Sequence, residues 1–263
     1  MIEEKYVELS HGKTRYLEAG QGDPVILLHG VDFAAGGDRW QWVMEALAPK
    51  YRAIAPDFLG WGMGDRFPGE YSFAYLVDFI RELQDGLGLE SSHIVGHSMG
   101  GWVSTLFGYE SPNRIKKLVL VAAGGTATRT LRSMTEFQPP SRDELRDMLK
   151  RTVKVDVDIE ALTDANFKKT QVPDAVEAYR RILRHMNDPA NRARYNTVRR
   201  LPHIKVPTLV VWGDRDEVNA PEMAHTLHDG IPGSKLVMLP DTGHFIPTER
   251  PKELAQALID FFS

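Results

Sequence analysis

The sequence of 263 residues predicts an α/β fold, in which helices cover both faces of a mostly parallel sheet. Short apolar runs such as PVILL (24–28) and PTLVVW (207–212) lack polar alternation, which is typical of strands buried on both faces. Helical patterns follow many of these runs along the chain. The alternation stops only between residues 126 and 203, where the sequence is polar and helical in pattern.

Eight runs are candidates for strands of this sheet: residues 5–10, 14–19, 24–28, 51–56, 92–96, 116–122, 207–212 and 234–239. We expect the first two to form a hairpin across residues 11–13, where a glycine allows a tight turn. Helices are predicted after Ser72 and from Ser98. Two more are expected to open with Pro221 and Pro251, because proline suits the first turn of a helix.

The stretch 126–203 is interpreted as a helical cap inserted into an α/β core, whose two parts are residues 1–125 and 204–263. An independent helical domain is the alternative, and we disfavour it because the last strands must return to the same sheet. Within the cap, Ser141 and Glu144 have the spacing of a capping box. A second cap helix is predicted from apolar side chains at helical spacing: Val176, Tyr179, Leu183 and Met186.

Composition excludes several classes of function. The chain has no cysteine, so disulfides, thiolate zinc sites and a cysteine nucleophile are ruled out. Its 32 basic and 36 acidic side chains nearly cancel, and no overall field would attract nucleic acid or an anionic membrane. The N-terminus is acidic, and no apolar run approaches the roughly 18–20 residues of a membrane span. We expect a cytoplasmic protein without nucleic-acid or membrane partners. An oligomer is compatible with the sequence.

The candidate nucleophile is Ser98, in the pentapeptide GHSMG between a predicted strand and a helix-forming segment. A serine on a sharp strand-to-helix turn has strained backbone angles that expose its Oγ. Glycine is needed two residues to either side, at Gly96 and Gly100, because larger side chains would collide there. His97 is adjacent, but neighbouring side chains on a tight turn diverge, and we expect it to be a packed neighbour rather than the base.

The general base is predicted to be His244, on the loop between the last strand and the last helix. When the nucleophile lies on such a strand-to-helix turn, the catalytic residues follow along the chain in the order serine, aspartate, histidine. The acid should end the preceding strand, so that it can accept a hydrogen bond from His244 Nδ1. Of the carboxylates in GDRDE we favour Asp216 over Asp214, which directly follows the glycine and is expected to cap the turn.

Acyl transfer also needs backbone N–H groups aimed at the oxyanion that develops in the reaction. We expect one from Met99, directly after the nucleophile, and the other from Val31 in the loop after PVILL. Gly30 would let this loop approach the site. His29 is expected to be a structural neighbour.

Five motifs in this order and spacing resemble the α/β-hydrolase family: LLHG, APDFLGWGMGD, GHSMGG, WGDRDEV and GHFIPTERP. The resemblance spans residues 24–252 and implies the α/β-hydrolase fold, here with an eight-stranded sheet. The segments VGHSMGGWVSTLFGYESPNRIKKLVLVAAGG and PSRDELRDMLKRTVKVDVD are similar to the meta-cleavage-product hydrolases. These enzymes split a carbon–carbon bond in 2-hydroxy-6-oxo-dienoates.

The chain departs from that subgroup at three places. The loop after PVILL lacks the HG-x-GPG run, and Phe245 replaces the usual tryptophan. Asn166-Phe167 stands where the subgroup has an Arg-Trp pair whose arginine would hold the substrate carboxylate. We therefore expect a carboxylic ester with a bulky apolar or aromatic part as the substrate, and a dienoate as the alternative.

Candidate substrate-binding residues are Gly30, Arg39, Trp102 and Phe245. Two positions are open for Trp102: it either lines the substrate pocket or packs under the sheet. Arg39, Lys168, Lys169 or the cap arginines would be the carboxylate anchor if a dienoate is the substrate. We expect the reaction to need no cofactor and no metal, with an acyl group carried on Ser98. Two further alternatives are a hydrolase-like receptor that turns over slowly, and a perhydrolase or acyltransferase in which water is not the acceptor.

Three other signals are interpreted as structural. The glycines of GWGMG (60–64) break the dinucleotide-binding spacing. His225 and His228 lie one helical turn apart without the H-E-x-x-H pattern of a zinc site. The arginines near the end of the cap are typical of a solvated helix face, and an electrostatic funnel for an anionic substrate is the alternative.

Overall fold

The computed structural model describes residues 1–127 and 136–263. All eight predicted strands are present: β1 (Glu3–Leu9), β2 (Gly12–Ala19), β3 (Asp23–Leu28), β4 (Tyr51–Pro56), β5 (Ser92–His97), β6 (Ile115–Val121), β7 (Thr208–Gly213) and β8 (Lys235–Leu239). They join in one sheet in the order β1-β2-β4-β3-β5-β6-β7-β8. Strands β3 to β8 run parallel to one another, and β2 is antiparallel to both β1 and β4. The predicted fold class is confirmed.

The first hairpin is tighter than expected. Leu9 pairs with Gly12 and Glu8 with Lys13, so the turn consists of Ser10 and His11 alone. The expectation that the turn covers residues 11–13 was wrong, because the glycine already belongs to the ladder of the second strand.

The described residues contain ten α-helices: α1 (Gln41–Leu47), α2 (Phe73–Gly86), α3 (Met99–Glu110), α4 (Arg142–Thr152), α5 (Ile159–Thr170), α6 (Ala175–Asn187), α7 (Pro189–Tyr195), α8 (Glu222–Gly230), α9 (Ile246–Glu249) and α10 (Pro251–Phe262). Of these, α2, α3, α4, α6, α8 and α10 lie where the sequence predicts a helix. Short 3₁₀ helices cover Gly37–Trp40, Pro112–Arg114 and Val198–His203. Helix α10 opens with Pro251 as predicted. Pro221 instead precedes the first residue of α8 and occupies the N-cap position, so the expectation that it opens the helix was wrong.

The four helices α4 to α7 fill the stretch for which a cap is predicted, and its described residues contain no strand. Ser141 and Glu144 form the capping box at the start of α4. Helix α6 buries Tyr179, Leu183 and Met186, whereas Val176 is only half-buried. The division of the chain into a core and a cap stays a prediction, and part of the proposed cap (128–135) lies outside the described residues.

Buried ion pairs join α5 to the loop after β3. Lys169 Nζ lies 3.0 Å from Asp38 Oδ2, and the lysine is only 4% exposed. Arg15 of β2 approaches Asp38 at 2.7 Å and the fully buried Asp57 at 2.8 Å. Burial alone would raise the pKa of Asp38, but Lys169 and Arg15 outweigh it and hold that pKa below its ordinary value. The helical segment is therefore anchored to the sheet by charge as well as by apolar contact.

The core lies on both sides of the central strands, whose residues from Val25 to Leu28 and from Leu118 to Val121 are fully buried. This is the pattern of a parallel sheet covered on both faces. Among the described helices, none combines the length and the hydropathy that crossing a bilayer would require.

Candidate active site

The turn between β5 and α3 carries Ser98 in a left-handed conformation, with φ 55° and ψ −114°. A non-glycine residue rarely adopts such angles, and this backbone strain is often found at functional sites. A Cβ on Gly96 would collide with the carbonyl of Gly100 and with Ser104, and a Cβ on Gly100 would lie 2.5 Å from the carbonyl oxygen of Leu28. Both glycines are required by close contact, which is the reason for which they were singled out in the sequence.

Ser98, His244 and Asp216 form a continuous hydrogen-bonded chain. Nε2 of His244 lies 3.0 Å from Ser98 Oγ, and Nδ1 lies 2.8 Å from Asp216 Oδ2. His244 and Asp216 are both buried, whereas Ser98 is half-buried. These distances allow the imidazole to accept the serine proton while the carboxylate holds the other ring nitrogen as a donor.

The second oxygen of Asp216 is also occupied. Oδ1 accepts hydrogen bonds from the backbone N–H groups of Val218 and Asn219, each at 2.8 Å. The carboxylate is thus oriented from both sides, with one oxygen left for the imidazole. Asp214 has a different position, since its side chain accepts a longer bond of 3.3 Å from the backbone N–H of Thr242. The structure therefore places Asp216, and not Asp214, next to His244.

The loop after β3 touches the serine at the predicted place. A Cβ on Gly30 would lie only 3.2 Å from Ser98 Cβ, so this glycine permits the close approach. Met99 is the first residue of α3, so no carbonyl within the helix can accept its N–H. Within residues 1–127 and 136–263, the N–H groups of Met99 and Val31 donate to neither a side chain nor a loop carbonyl. Both are available to an oxyanion, and their role as donors stays a prediction.

Two histidines beside the site form hydrogen bonds with the backbone through their rings. His29 Nδ1 donates to the carbonyl of Gly30 at 2.7 Å, while Nε2 accepts from the N–H of Phe58 at 3.1 Å. His97 Nε2 lies 2.8 Å from the carbonyl oxygen of His244, which fixes that nitrogen as the donor. Burial and the neighbouring His244 lower the pKa of His97 to about 3, so it stays neutral. Both residues are structural neighbours, as expected.

The other candidates for substrate binding lie at different depths. Trp102 is buried below the helical segment, with its indole N–H donating to the carbonyl of Tyr195 at 2.9 Å and its ring 4.2 Å from that of Phe73. Phe245 is half-buried, with its ring 5.4 Å from the ring of His244. Arg39 is buried and pairs with Asp32 at 2.8 Å.

An aromatic cluster not singled out from the sequence covers the loop after β3. Phe33 lies two residues after Val31, and its ring is 5.1 Å from the rings of Phe137 and Tyr179. Tyr179 also contacts Trp61, with 6.4 Å between ring centroids. Tyr179 is one of the apolar side chains whose spacing predicts α6, and no local pattern tells which neighbours such side chains will contact. The cluster forms an apolar surface beside the loop after β3.

The described residues contain no group of three or more histidine, aspartate or glutamate side chains arranged to hold a metal ion. His228 contacts the hydroxyl of Ser234 at 3.0 Å. The loop 60–64 folds back onto Asp57, which accepts the N–H of Met63 at 2.8 Å. Asp57 also pairs with Arg15 of β2, so the loop 60–64 is held by contacts within the protein.

Known proteins resemble this chain along most of its length. A family model described as the alpha/beta hydrolase family matches residues 25–257. A 2-hydroxy-6-oxo-6-(2'-aminophenyl)hexa-2,4-dienoic acid hydrolase of Metapseudomonas resinovorans is 32% identical over 99% of this chain and 91% of its own length. Haloalkane dehalogenase 2 of Mycobacterium bovis is 29% identical over 99% of this chain and 95% of its own length. The solved structure of a serine hydrolase involved in carbazole degradation superposes with a TM-score of 0.87 at 27% identity, covering 100% of this chain and 99% of that one.

Proposed function

This chain belongs to the alpha/beta hydrolase family, and we propose that it is a serine hydrolase that cleaves a neutral carboxylic ester with a bulky apolar or aromatic part. The observation that carries the proposal is the unbroken chain of hydrogen bonds from Ser98 through His244 to Asp216, with the serine on a strained turn. The catalytic roles of these residues are part of the proposal.

In the first step, Ser98 Oγ attacks the carbonyl carbon of the ester and its proton passes to His244 Nε2. The carbonyl π electrons move to oxygen, and the N–H groups of Val31 and Met99 hold that oxyanion. When the tetrahedral intermediate collapses, the C–O bond to the alcohol breaks and His244 returns the proton to the departing oxygen. The acyl group is then bound to Ser98.

In the second step, His244 takes a proton from water as the water oxygen attacks the acyl carbon. Collapse of this intermediate breaks the bond to Ser98 Oγ, which recovers its proton from His244, and the carboxylic acid leaves. Asp216 orients the imidazole throughout, because both its oxygens are held.

Charge at the site supports a neutral substrate. Two of the basic residues that could hold a substrate carboxylate are already neutralised, Arg39 by Asp32 at 2.8 Å and Lys169 by Asp38 at 3.0 Å. Lys168 is exposed on α5. A carboxylate buried without a partner would be costly, whereas an aromatic or branched group would gain from contact with Phe33 and its neighbours.

The second candidate function is hydrolysis of a carbon–carbon bond in a 2-hydroxy-6-oxo-dienoate. It is favoured by the hydrolase of Metapseudomonas resinovorans, whose name specifies such a substrate. The same nucleophile would attack the 6-oxo carbon, but the leaving group would be a carbanion. The dienol must therefore first become the 2-oxo tautomer, taking a proton on C5 and giving up its 2-hydroxyl proton. The electrons of the breaking C5–C6 bond can then delocalise onto the 2-oxo oxygen. This substrate carries a carboxylate and so requires a cationic partner.

The two functions are separated by kcat/KM for a p-nitrophenyl ester and for 2-hydroxy-6-oxo-6-phenylhexa-2,4-dienoate in one buffer, with Ser98→Ala as the blank. We expect the ester to be hydrolysed more efficiently, over many turnovers. A dienoate preference above about tenfold would overturn the ester proposal. A single burst of alcohol without further turnover would indicate the slow receptor instead. An ester product formed from an added alcohol in preference to acid would indicate an acyltransferase.

A further inference from the structure

One carboxylate binds the backbone on both sides of His244. Glu249 Oε2 accepts the N–H of Gly243 at 2.8 Å, and Oε1 accepts the N–H of Phe245 at 2.9 Å. Glu249 is the last residue of the short helix α9, five positions after the histidine, so the chain turns back to place it there. The loop and its carboxylate form a closed unit.

The carbonyl of His244 itself is held from the opposite element. His97 Nε2 donates to it at 2.8 Å from the turn that carries Ser98. Two residues earlier in the loop, the carbonyl of Thr242 accepts the N–H of Arg215 at 2.9 Å. The His244 loop is therefore tied to the serine turn, to the Asp216 turn and to Glu249. The Glu249 contacts come from the loop's own continuation, as does the bond of 3.3 Å from Arg250 Nε to Thr242 Oγ1.

Such a grip matters because His244 lies on a loop, and loops tolerate more backbone motion than strands or helices. Rotation of the peptide groups of Gly243 or Phe245 would swing the imidazole away from Ser98 Oγ, which lies 3.0 Å from it. A misplacement of about 1 Å at a reacting group can cost on the order of 100-fold in rate. The two N–H bonds oppose these rotations.

The side chain must be a carboxylate to make both bonds. Each of its oxygens accepts one N–H, and hydrogen bonds to an ionised acceptor are stronger than neutral ones. A glutamine of the same shape has one oxygen and one NH₂ group, so it would face one backbone N–H with another donor. Within the described part of the chain, no lysine or arginine pairs with Glu249. Its contacts with the loop are thus its main interactions.

We propose that Glu249 is a positioning residue that holds the His244 imidazole in reach of Ser98. The inference rests on the proposed function, since it assigns to His244 the task of taking the serine proton. It concerns the rate of the chemical step, because both bonds of Glu249 act on the peptide groups that flank His244.

The test compares wild type with Glu249→Gln, Glu249→Asp and a matched control, Glu253→Gln. Glu253 lies one helical turn further along, is half exposed, and pairs only weakly with Arg250 at 3.8 Å. The reagent is an alkyl fluorophosphonate. With it, Ser98 Oγ forms a bond to phosphorus, fluoride leaves, and the serine proton passes to His244. Saturation kinetics give the maximal rate of inactivation, kinact, and the half-saturating concentration, KI.

We expect Glu249→Gln to lower kinact by about 10- to 100-fold with KI changed less than about twofold. Glu249→Asp should also lose rate, because its shorter side chain cannot reach both N–H groups. Glu253→Gln should match wild type. The low-field proton resonance of a His–Asp hydrogen bond, here His244 Nδ1–H, should be present in wild type and the control and broadened in Glu249→Gln. Far-UV circular dichroism at the assay temperature shows whether each variant is folded.

A folded Glu249→Gln with wild-type kinact and an unchanged resonance would overturn the proposal. So would a loss confined to KI. If neither Glu249 variant folds, Glu249 is a stability residue and the positioning role is wrong. If wild type itself is not labelled at Ser98, the proposed function fails, whatever the Glu249 variants do.

Discussion

Replacing Asp216 by asparagine changes one atom of the site and reverses the protonation that the reaction needs. In the native protein, Oδ1 accepts two backbone N–H bonds from Val218 and Asn219, and Oδ2 accepts Nδ1–H of His244. The asparagine oxygen will face the two backbone donors, because an NH₂ group there would oppose both. Its NH₂ group then faces His244 Nδ1, which must become an acceptor.

The imidazole proton consequently moves to Nε2, the nitrogen 3.0 Å from Ser98 Oγ. In that tautomer the ring cannot take the serine proton. The same tautomer argument in serine proteases corresponds to a loss of about 10⁴-fold in kcat, or about 5 kcal/mol of transition-state stabilisation. We expect a loss of this order for Asp216→Asn, with little change in stability, because the shape and both backbone bonds are kept.

The assay is kcat for a p-nitrophenyl ester, with thermal unfolding as the check on the fold. Asp214→Asn is the control: its carboxylate accepts one bond of 3.3 Å and is 43% exposed, so it should cost less than about tenfold. If Asp216→Asn keeps more than a tenth of the activity, or Asp214→Asn is the more damaging change, the assignment of the acid is wrong.

Three further perturbations follow from the structure. Burial lowers the pKa of His97 to about 3, so below the ordinary histidine pKa of about 6.5 the unfolded state binds more protons than the folded state. The free energy of unfolding should therefore fall as the pH drops from 6.5, by up to about 1.4 kcal/mol per pH unit. Urea titrations at several pH values should show that His97→Gln removes this part of the pH dependence. Gly100→Ala should destabilise the protein by at least about 1–3 kcal/mol and slow labelling of the serine, because the new Cβ meets two carbonyl oxygens. Asp38→Asn should lower the free energy of unfolding by about 3–5 kcal/mol, because it leaves Lys169 buried and unpaired. Lys169→Met should lower it by less. Equal losses of the two variants in denaturant unfolding would contradict this order.

The strand pattern and the serine turn could be predicted because their causes are local. Gly96 and Gly100 are needed by the backbone within two residues of Ser98, and that constraint is visible in the pentapeptide itself. The sheet could be predicted in the same way, since runs such as 24–28 and 207–212 are apolar at nearly every position. The hairpin turn shifted towards the N-terminus, because Gly12 and Lys13 both pair in the ladder of β2.

Contacts between distant parts of the chain could not be predicted. Lys169 was considered as an anchor for a substrate carboxylate, but it lies against Asp38, 131 positions earlier, and no pattern around either residue indicates the other. Arg39 was a candidate for the same task, and its partner Asp32 is set by the path of the loop after β3. The bonds that Glu249 makes also depend on how the chain turns after His244.

Peptide mass spectrometry after reaction with an alkyl fluorophosphonate tests whether Ser98 is the nucleophile. We expect a single adduct, on the peptide that contains Ser98, and none in a folded Ser98→Ala variant. Wild type and variant should have the same circular dichroism, because the substitution removes only one oxygen atom. An adduct on any other residue of the native protein, or undiminished labelling of Ser98→Ala, would contradict the account.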